Sequence, residues 1–229
     1  MELVTSDRST VPVPSDIDRS ERTVAEAVAG PVAARRGDRS PWVEALMELG
    51  ALDRAVYAAV ATTPTDHLDR PLRHLSRSAD AGALWLAIAA GLAGLGRSPG
   101  RRVAGEAVTS LAVTAITVNF GAKSLFRRPR PNARAHDRAE ARQVPTPSSS
   151  SFPSGHSATS FAFAYTVGRH LPLVGVPIRL LAAAVAYSRV HLGVHYPGDV
   201  IVGSIMGAGT AAAVGSSWDR RHGVGPRAR

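Results

Sequence analysis

Residues 81–96, 107–122 and 200–217 run without a single Asp, Glu, Lys or Arg, and the last of these stretches is 18 residues long. Runs of this kind have to be withdrawn from water, either into a protein core or into lipid. Two further apolar stretches, 153–171 and 173–188, carry one arginine each, Arg169 and Arg179. That makes five candidate spans. Several fall short of the ~20 residues of a full crossing, so buried helices of a soluble all-α protein are the competing reading. Their mixture of Ala, Gly, Leu and Val, and the spacing of Gly203 to Gly207, suit helices that pack closely in lipid. The expected fold class is all-α: a multi-span transmembrane helical bundle of five to six membrane helices with an amphipathic N-terminal helix.

Ahead of the spans, residues 1–40 mix Asp, Glu, Arg, Ser and Pro with no apolar run, the composition of a disordered tail. They lack the apolar core of a secretory signal peptide, so an uncleaved N-terminus is expected. Over 41–63, Val43, Leu46, Leu49, Leu52, Val56 and Val60 recur at three- and four-residue spacing, interrupted by Glu44, Glu48, Asp53 and Arg54. Such a helix can lie in the membrane interface, pack on the bundle, or cross as a sixth span, and its charges weigh against crossing. A second amphipathic stretch, 67–79, carries Arg70, Arg73 and Arg77. The resulting plan is a tail at 1–40, an amphipathic region at 41–80, a membrane core at 81–217 and a basic tail at 218–229.

The net charge of +9 with 45% hydrophobic residues fits a nucleic-acid binder or a membrane protein facing anionic headgroups. The arginines decide for the membrane, because they cluster at the ends of apolar runs (Arg97, Arg101, Arg102; Arg220, Arg221) and form no aromatic-interleaved basic stripe. No nucleic-acid partner is expected. Cysteine is absent, which removes disulfides, thiolate metal sites and cysteine nucleophiles. Lys123 is the single lysine among 27 basic residues; compositional drift toward arginine explains the bias but not the survivor, and a site needing a compact point charge on phosphate is one that could resist the drift.

Three polar clusters sit at the ends of these runs. Lys123, six residues, then Arg130-Pro131 closes the second; taken alone, these cations equally suit a helix C-terminus or the membrane interface. Pro153-Ser154-Gly155-His156 opens the third, with Pro expected in a first helical turn and Gly allowing close backbone approach to an anion. Ser188-Arg189, five residues, His195, three residues, Asp199 joins the fourth and fifth. Pro197 should start the last helix and set Asp199 in its first turn, within reach of His195, where it would fix the imidazole tautomer. A satisfied His–Asp pair at the interface is the bland alternative. In an antiparallel bundle all three clusters fall at one end.

These ordered motifs resemble, without departure, the signature of the type 2 phosphatidic acid phosphatase superfamily, over about 81–217. The resemblance implies an all-helical bundle and a metal-independent lipid phosphatase of the cell membrane with no cofactor. It further implies His195 as nucleophile, Asp199 orienting it and His156 as general acid, with Lys123, Arg130, Ser154, Gly155 and Arg189 holding phosphate. His191 lies outside the motifs. The substrate class implied is phosphatidate or a polyprenyl diphosphate such as undecaprenyl diphosphate, and the reaction would run through a phosphohistidine. Competing functions are a vanadate-dependent haloperoxidase, whose oxyanion-binding residues are similar, and a non-catalytic membrane binding protein. The arginines at the opposite helix ends predict, by the positive-inside rule, an active site on the extracytoplasmic face.

Overall fold

The structure, a computed structural model, describes residues 40–142, 144, 145 and 148–222. The expected tail at 1–39 and the end of the basic tail at 223–229 lie outside the described residues. The chain divides into two compact units, 1–52 and 53–229. Helix α1, Pro41–Thr62, begins in the first and ends in the second. The second unit continues with α2 (Asp66–Ser78), α3 (Ala83–Leu95), α4 (Arg97–Ile116), a π-helical turn at Thr117–Ala122, and the single-turn α5 (Lys123–Leu125). It is completed by α6 (Asp137–Arg142), α7 (Gly155–His170), α8 (Pro172–His191) and α9 (Pro197–His222).

The described residues are all-α, as expected. Among the described residues, three stretches are long and apolar enough to cross a membrane: Arg97–Leu125, Pro172–His191 and Pro197–Arg221. A fourth arises if the pair Asp66–Ser78 and Asp80–Leu95, bent by 57°, counts as one broken span. The bend has a local cause, since Ala81 and Gly82 both take positive φ, +52° and +77°. Neither α7, with 16 residues, nor α1, with 22 residues and a charged sequence, is among these stretches.

Helix α7 is central, packed by α4, α8 and α9. The faces that meet are made of small residues. A side-chain carbon at Gly203 would lie 2.5 Å from the Ser154 carbonyl oxygen, and one at Gly207 2.0 Å from that of Ala158, so the expected Gly203–Gly207 stripe is where α9 touches α7. Hydroxyls fill much of the remaining interior: Ser110, Thr114, Ser157, Ser160 and Thr166 are fully buried, and Thr166 Oγ1 donates to Ser110 Oγ across α7 and α4 at 3.1 Å. Leu95, Leu173, Leu180, Ile201 and Ile205 point outward. Small residues at the helix contacts together with branched aliphatics on the outside suit a bundle packed in lipid. Trp85 and Phe163, ring centroids 5.3 Å apart, are the large aromatics of a core cluster that also holds Leu111, Val167, Ile178 and Val185.

Within residues 53–62 the inward side of α1 is set mainly by Tyr57 and Ala61, which lie off its apolar repeat. There Tyr57 and Ala61 are buried, with Val60 half-buried beside them, while Val56 is exposed. The polar anchor Asp53, described below, decides which side of the helix faces inward.

Candidate active site

The turn after α8 explains the five-residue spacer between Arg189 and His195. Gly193 takes φ +68°, the left-handed conformation that terminates helices, and the Val194 and His195 amides fold back to donate to the Arg189 carbonyl at 3.0 and 3.1 Å. Pro197 then starts α9, as expected, with Asp199 in its first turn. The Asp199 carbonyl accepts from the Ser154 amide at 2.9 Å, which joins the second and third motifs. Arg130 of the first motif donates to the Val194 carbonyl at 2.9 Å and completes the assembly.

A cavity of about 370 Å³ results, lined on its polar side by Asn119, Lys123, Arg130, Gly155, His156, Arg189 and His195. Leu111, Ala115 and Ala79 form part of its apolar wall. His195 Nδ1 lies 3.4 Å from Asp199 Oδ2, long for a hydrogen bond but close enough to orient the ring, and Nε2 faces the cavity 3.5 Å from Arg130 Nη1. Burial pushes the His195 imidazole down to about 4 from an ordinary 6.5; Asp199 opposes this while Arg130 and Arg189 add to it. The ring is therefore neutral near pH 7, with a free lone pair.

Of the eight residues singled out from sequence, Lys123, Arg130, Gly155, His156, Arg189 and His195 line the cavity. Asp199 stands behind His195, fully buried. Ser154 is also fully buried: its Oγ caps α7 by accepting from the Ser157 amide at 3.4 Å and from Ser157 Oγ at 3.0 Å. Helix α7 begins at Gly155, so Pro153 precedes the cap and does not occupy the first turn that the sequence suggests. At Gly155 a side chain would meet Asn119 Oδ1 at 3.2 Å and Lys123 Nζ at 3.5 Å, so glycine keeps the helix N-terminus open to a ligand. His191 pairs instead with Asp69, 2.8 Å away, in a separate network with Arg142.

Four residues of the site escape sequence reasoning. Asp80, at the break between α2 and α3, lies 2.8 Å from His156 Nε2 and orients that ring. Asn119 enters the cavity because the π-helical turn shifts the register of α4 just ahead of Lys123. Arg128 and Asp53 stand behind Asp199, where Arg128 Nη1 donates to Asp199 Oδ1 at 2.8 Å. A wider cavity of about 950 Å³ shares Asn119, Lys123, Arg130 and Ser149 with the first and adds Phe126, Arg127 and Ser148.

Three cations, a helix N-terminus and a buried histidine around one small cavity form a candidate site for phosphoryl transfer within this helical bundle. Comparison with known proteins agrees. Residues 104–222 match the PAP2 superfamily. The chain is 36% identical over 169 residues to decaprenylphosphoryl-5-phosphoribose phosphatase of Mycobacterium tuberculosis, covering 71% of this chain and 90% of that one. Its counterpart in Mycolicibacterium smegmatis is 38% identical over 150 residues, 65% of this chain and 77% of that one. Among solved structures, the transmembrane PAP2-type phosphatidylglycerolphosphate phosphatase of Bacillus subtilis aligns with a TM-score of 0.56 at 23% identity, covering 90% of this chain and 97% of that one. LpxE of Aquifex aeolicus aligns with a TM-score of 0.54 at 20% identity, covering 72% and 95%. The chain belongs to the PAP2 superfamily and is a PAP2-type phosphatase acting on lipid phosphates.

Proposed function

We propose that this phosphatase works through a phosphohistidine on His195 and that its substrate is a lipid-linked sugar phosphate. The observation that carries the mechanism is the buried His195 ring set between Asp199 and a cavity lined by Lys123, Arg130 and Arg189. His195 Nε2 attacks phosphorus in line, the P–O bond to the leaving group breaks, and His156, which takes up a proton beside Asp80 as the anionic phosphate binds, delivers that proton to the departing oxygen. A water then attacks the phosphohistidine, giving its proton to His156 as the N–P bond breaks and inorganic phosphate leaves. Lys123, Arg130 and Arg189 meet the charge on the equatorial oxygens, with the Gly155 end of α7 adding its dipole. Ser154, through its cap, holds that helix end in position.

The substrate assignment is supported by the mycobacterial relatives at 36–38% identity, whose substrate carries a sugar beside the phosphate, and by the wider cavity with room for such a headgroup. For the membrane we propose that the five helices α3, α4, α7, α8 and α9 cross, with the site outward. The support is charge: Arg97, Arg101, Arg102, Arg169, Arg179, Arg220 and Arg221 belong to the opposite ends. A sixth crossing by α1 would put the N-terminus back on the cytoplasmic side.

Phosphate release from purified protein in detergent tests the reading, over a panel of polyprenyl-phosphoryl sugar phosphate, phosphatidylglycerol phosphate, phosphatidate and undecaprenyl diphosphate. His195→Ala should abolish turnover, whereas loss of one charge-stabilising donor costs ~10²–10³ in rate. Near-normal turnover by His195→Ala would remove the mechanism, and preference for a glycerolipid would remove the substrate.

A further inference from the structure

Asp199 is held from three sides. Its Oδ2 accepts from the Tyr196 amide at 2.9 Å and faces His195 Nδ1, while Oδ1 accepts from Arg128 Nη1 at 2.8 Å, so the plane of the carboxylate is fixed. Arg128 does not end there. Its Nη2 donates to Asp53 Oδ2 at 2.5 Å, and the guanidinium lies over the Tyr196 ring, 4.4 Å from its centroid. Asp53 in turn accepts from the Gly198 amide at 2.6 Å, in the first turn of the helix that carries Asp199. A side-chain carbon at position 198 would come within 3.0 Å of Asp53 Oδ2, so the glycine admits this contact.

We propose that Asp53 and Arg128 are a positioning pair for the nucleophile: they lock the Asp199 carboxylate toward His195 and preserve its negative charge for the moment the ring becomes cationic. The proposal rests on His195 being the nucleophile. Charge explains why two residues are needed. Phosphorylation of Nε2 leaves a proton on Nδ1 and a positive charge on the ring, which the carboxylate behind it stabilises. Arg128 alone would cancel Asp199. With Asp53 included, two carboxylates and one guanidinium leave a net single negative charge behind the ring, and the planar fork of an arginine spans both acids as an ammonium cannot. Asp53 lies ahead of the 104–222 segment that matches the family, and Arg128 sits in the spacer between Lys123 and Arg130.

The test is rapid-quench formation of the phosphohistidine, steady-state kcat and KM, and inhibition by orthovanadate, on purified full-length protein. Asp53→Asn and Arg128→Lys should each slow phosphohistidine formation and kcat by roughly tenfold or more, the scale on which outer partners of a reacting centre act. Vanadate inhibition should stay within about twofold in both variants, and KM in Asp53→Asn, because Lys123, Arg130 and Arg189 are untouched; Arg128 also borders the wider cavity, so its KM is free to change. In an Asp199→Asn background, Asp53→Asn should add less than about twofold, since its route to the ring is already cut. Parent-like rates in Asp53→Asn, an undiminished effect in the Asp199→Asn background, or weakened vanadate binding in parallel with the rate would each overturn the proposal. No phosphohistidine on the parent protein would overturn the underlying mechanism instead.

Discussion

His195 is withdrawn from solvent beside two guanidinium groups, and that environment sets its working range. A ring held down to about 4 is neutral from the neutral region well into acid. The sign for stability follows, because the folded state favours the neutral form: this contribution is complete above 6.5, the ordinary value, and is lost as pH falls through about 4. The acid limb of kcat/KM that belongs to the enzyme should accordingly lie near 4. Substrates whose phosphates titrate at different pH separate it from the limb that belongs to the substrate. An enzyme limb that stays near 6.5 across them would show that His195 is charged in the free protein. The residues that line the candidate phosphate cavity were legible in sequence because each motif is a short spacing across one helix end. Their partners were not: Arg128 looks like filler between Lys123 and Arg130, and Asp53 in α1 and Asp80 at the α2–α3 break are single acids 75 and 76 residues from the groups they hold.

At the scale of elements, apolar runs predicted where the helices of the core lie, and the turns between them carry the chemistry. What periodicity did not reveal is where register departs from the regular helix. The π-helical turn at Thr117–Ala122 brings Asn119 into the cavity, and the break at Ala81–Gly82 brings Asp80 to His156. At the end of α1 an ion pair and the buried Tyr57, rather than the apolar repeat, set the inward side. The contact of α7 with α9 is the most exacting, since it carries His156 on one helix and Asp199 on the other. Gly207→Val drives side-chain atoms into the Ala158 carbonyl, and overpacking of this kind costs about 1–3 kcal/mol. A lowered Tm in detergent, with kcat falling alongside, is the expected result. An unchanged Tm would mean that the two helices can separate at no cost.

For the molecule as a whole, the open quantity is which way it faces. The chain has no cysteine, so a single introduced one is a unique label. Ser149 borders the catalytic cavity, and Ser149→Cys should react with a membrane-impermeant maleimide added to intact cells. Reaction only after the membrane is opened would reverse the orientation. Sequence alone left the number of crossings open for a physical reason: α7 is short for a crossing, and α1 is long but charged, so length and apolarity point different ways.

The division between inner and outer helix faces has an evolutionary consequence. Leu95, Leu173, Leu180, Ile201 and Ile205 meet only the surroundings, whereas Gly203 and Gly207 meet neighbouring backbone. Branched aliphatics on the rim can thus be exchanged to suit bilayers of different thickness without altering the distance between catalytic loops. The bundle can adapt to a new host membrane and keep its chemistry.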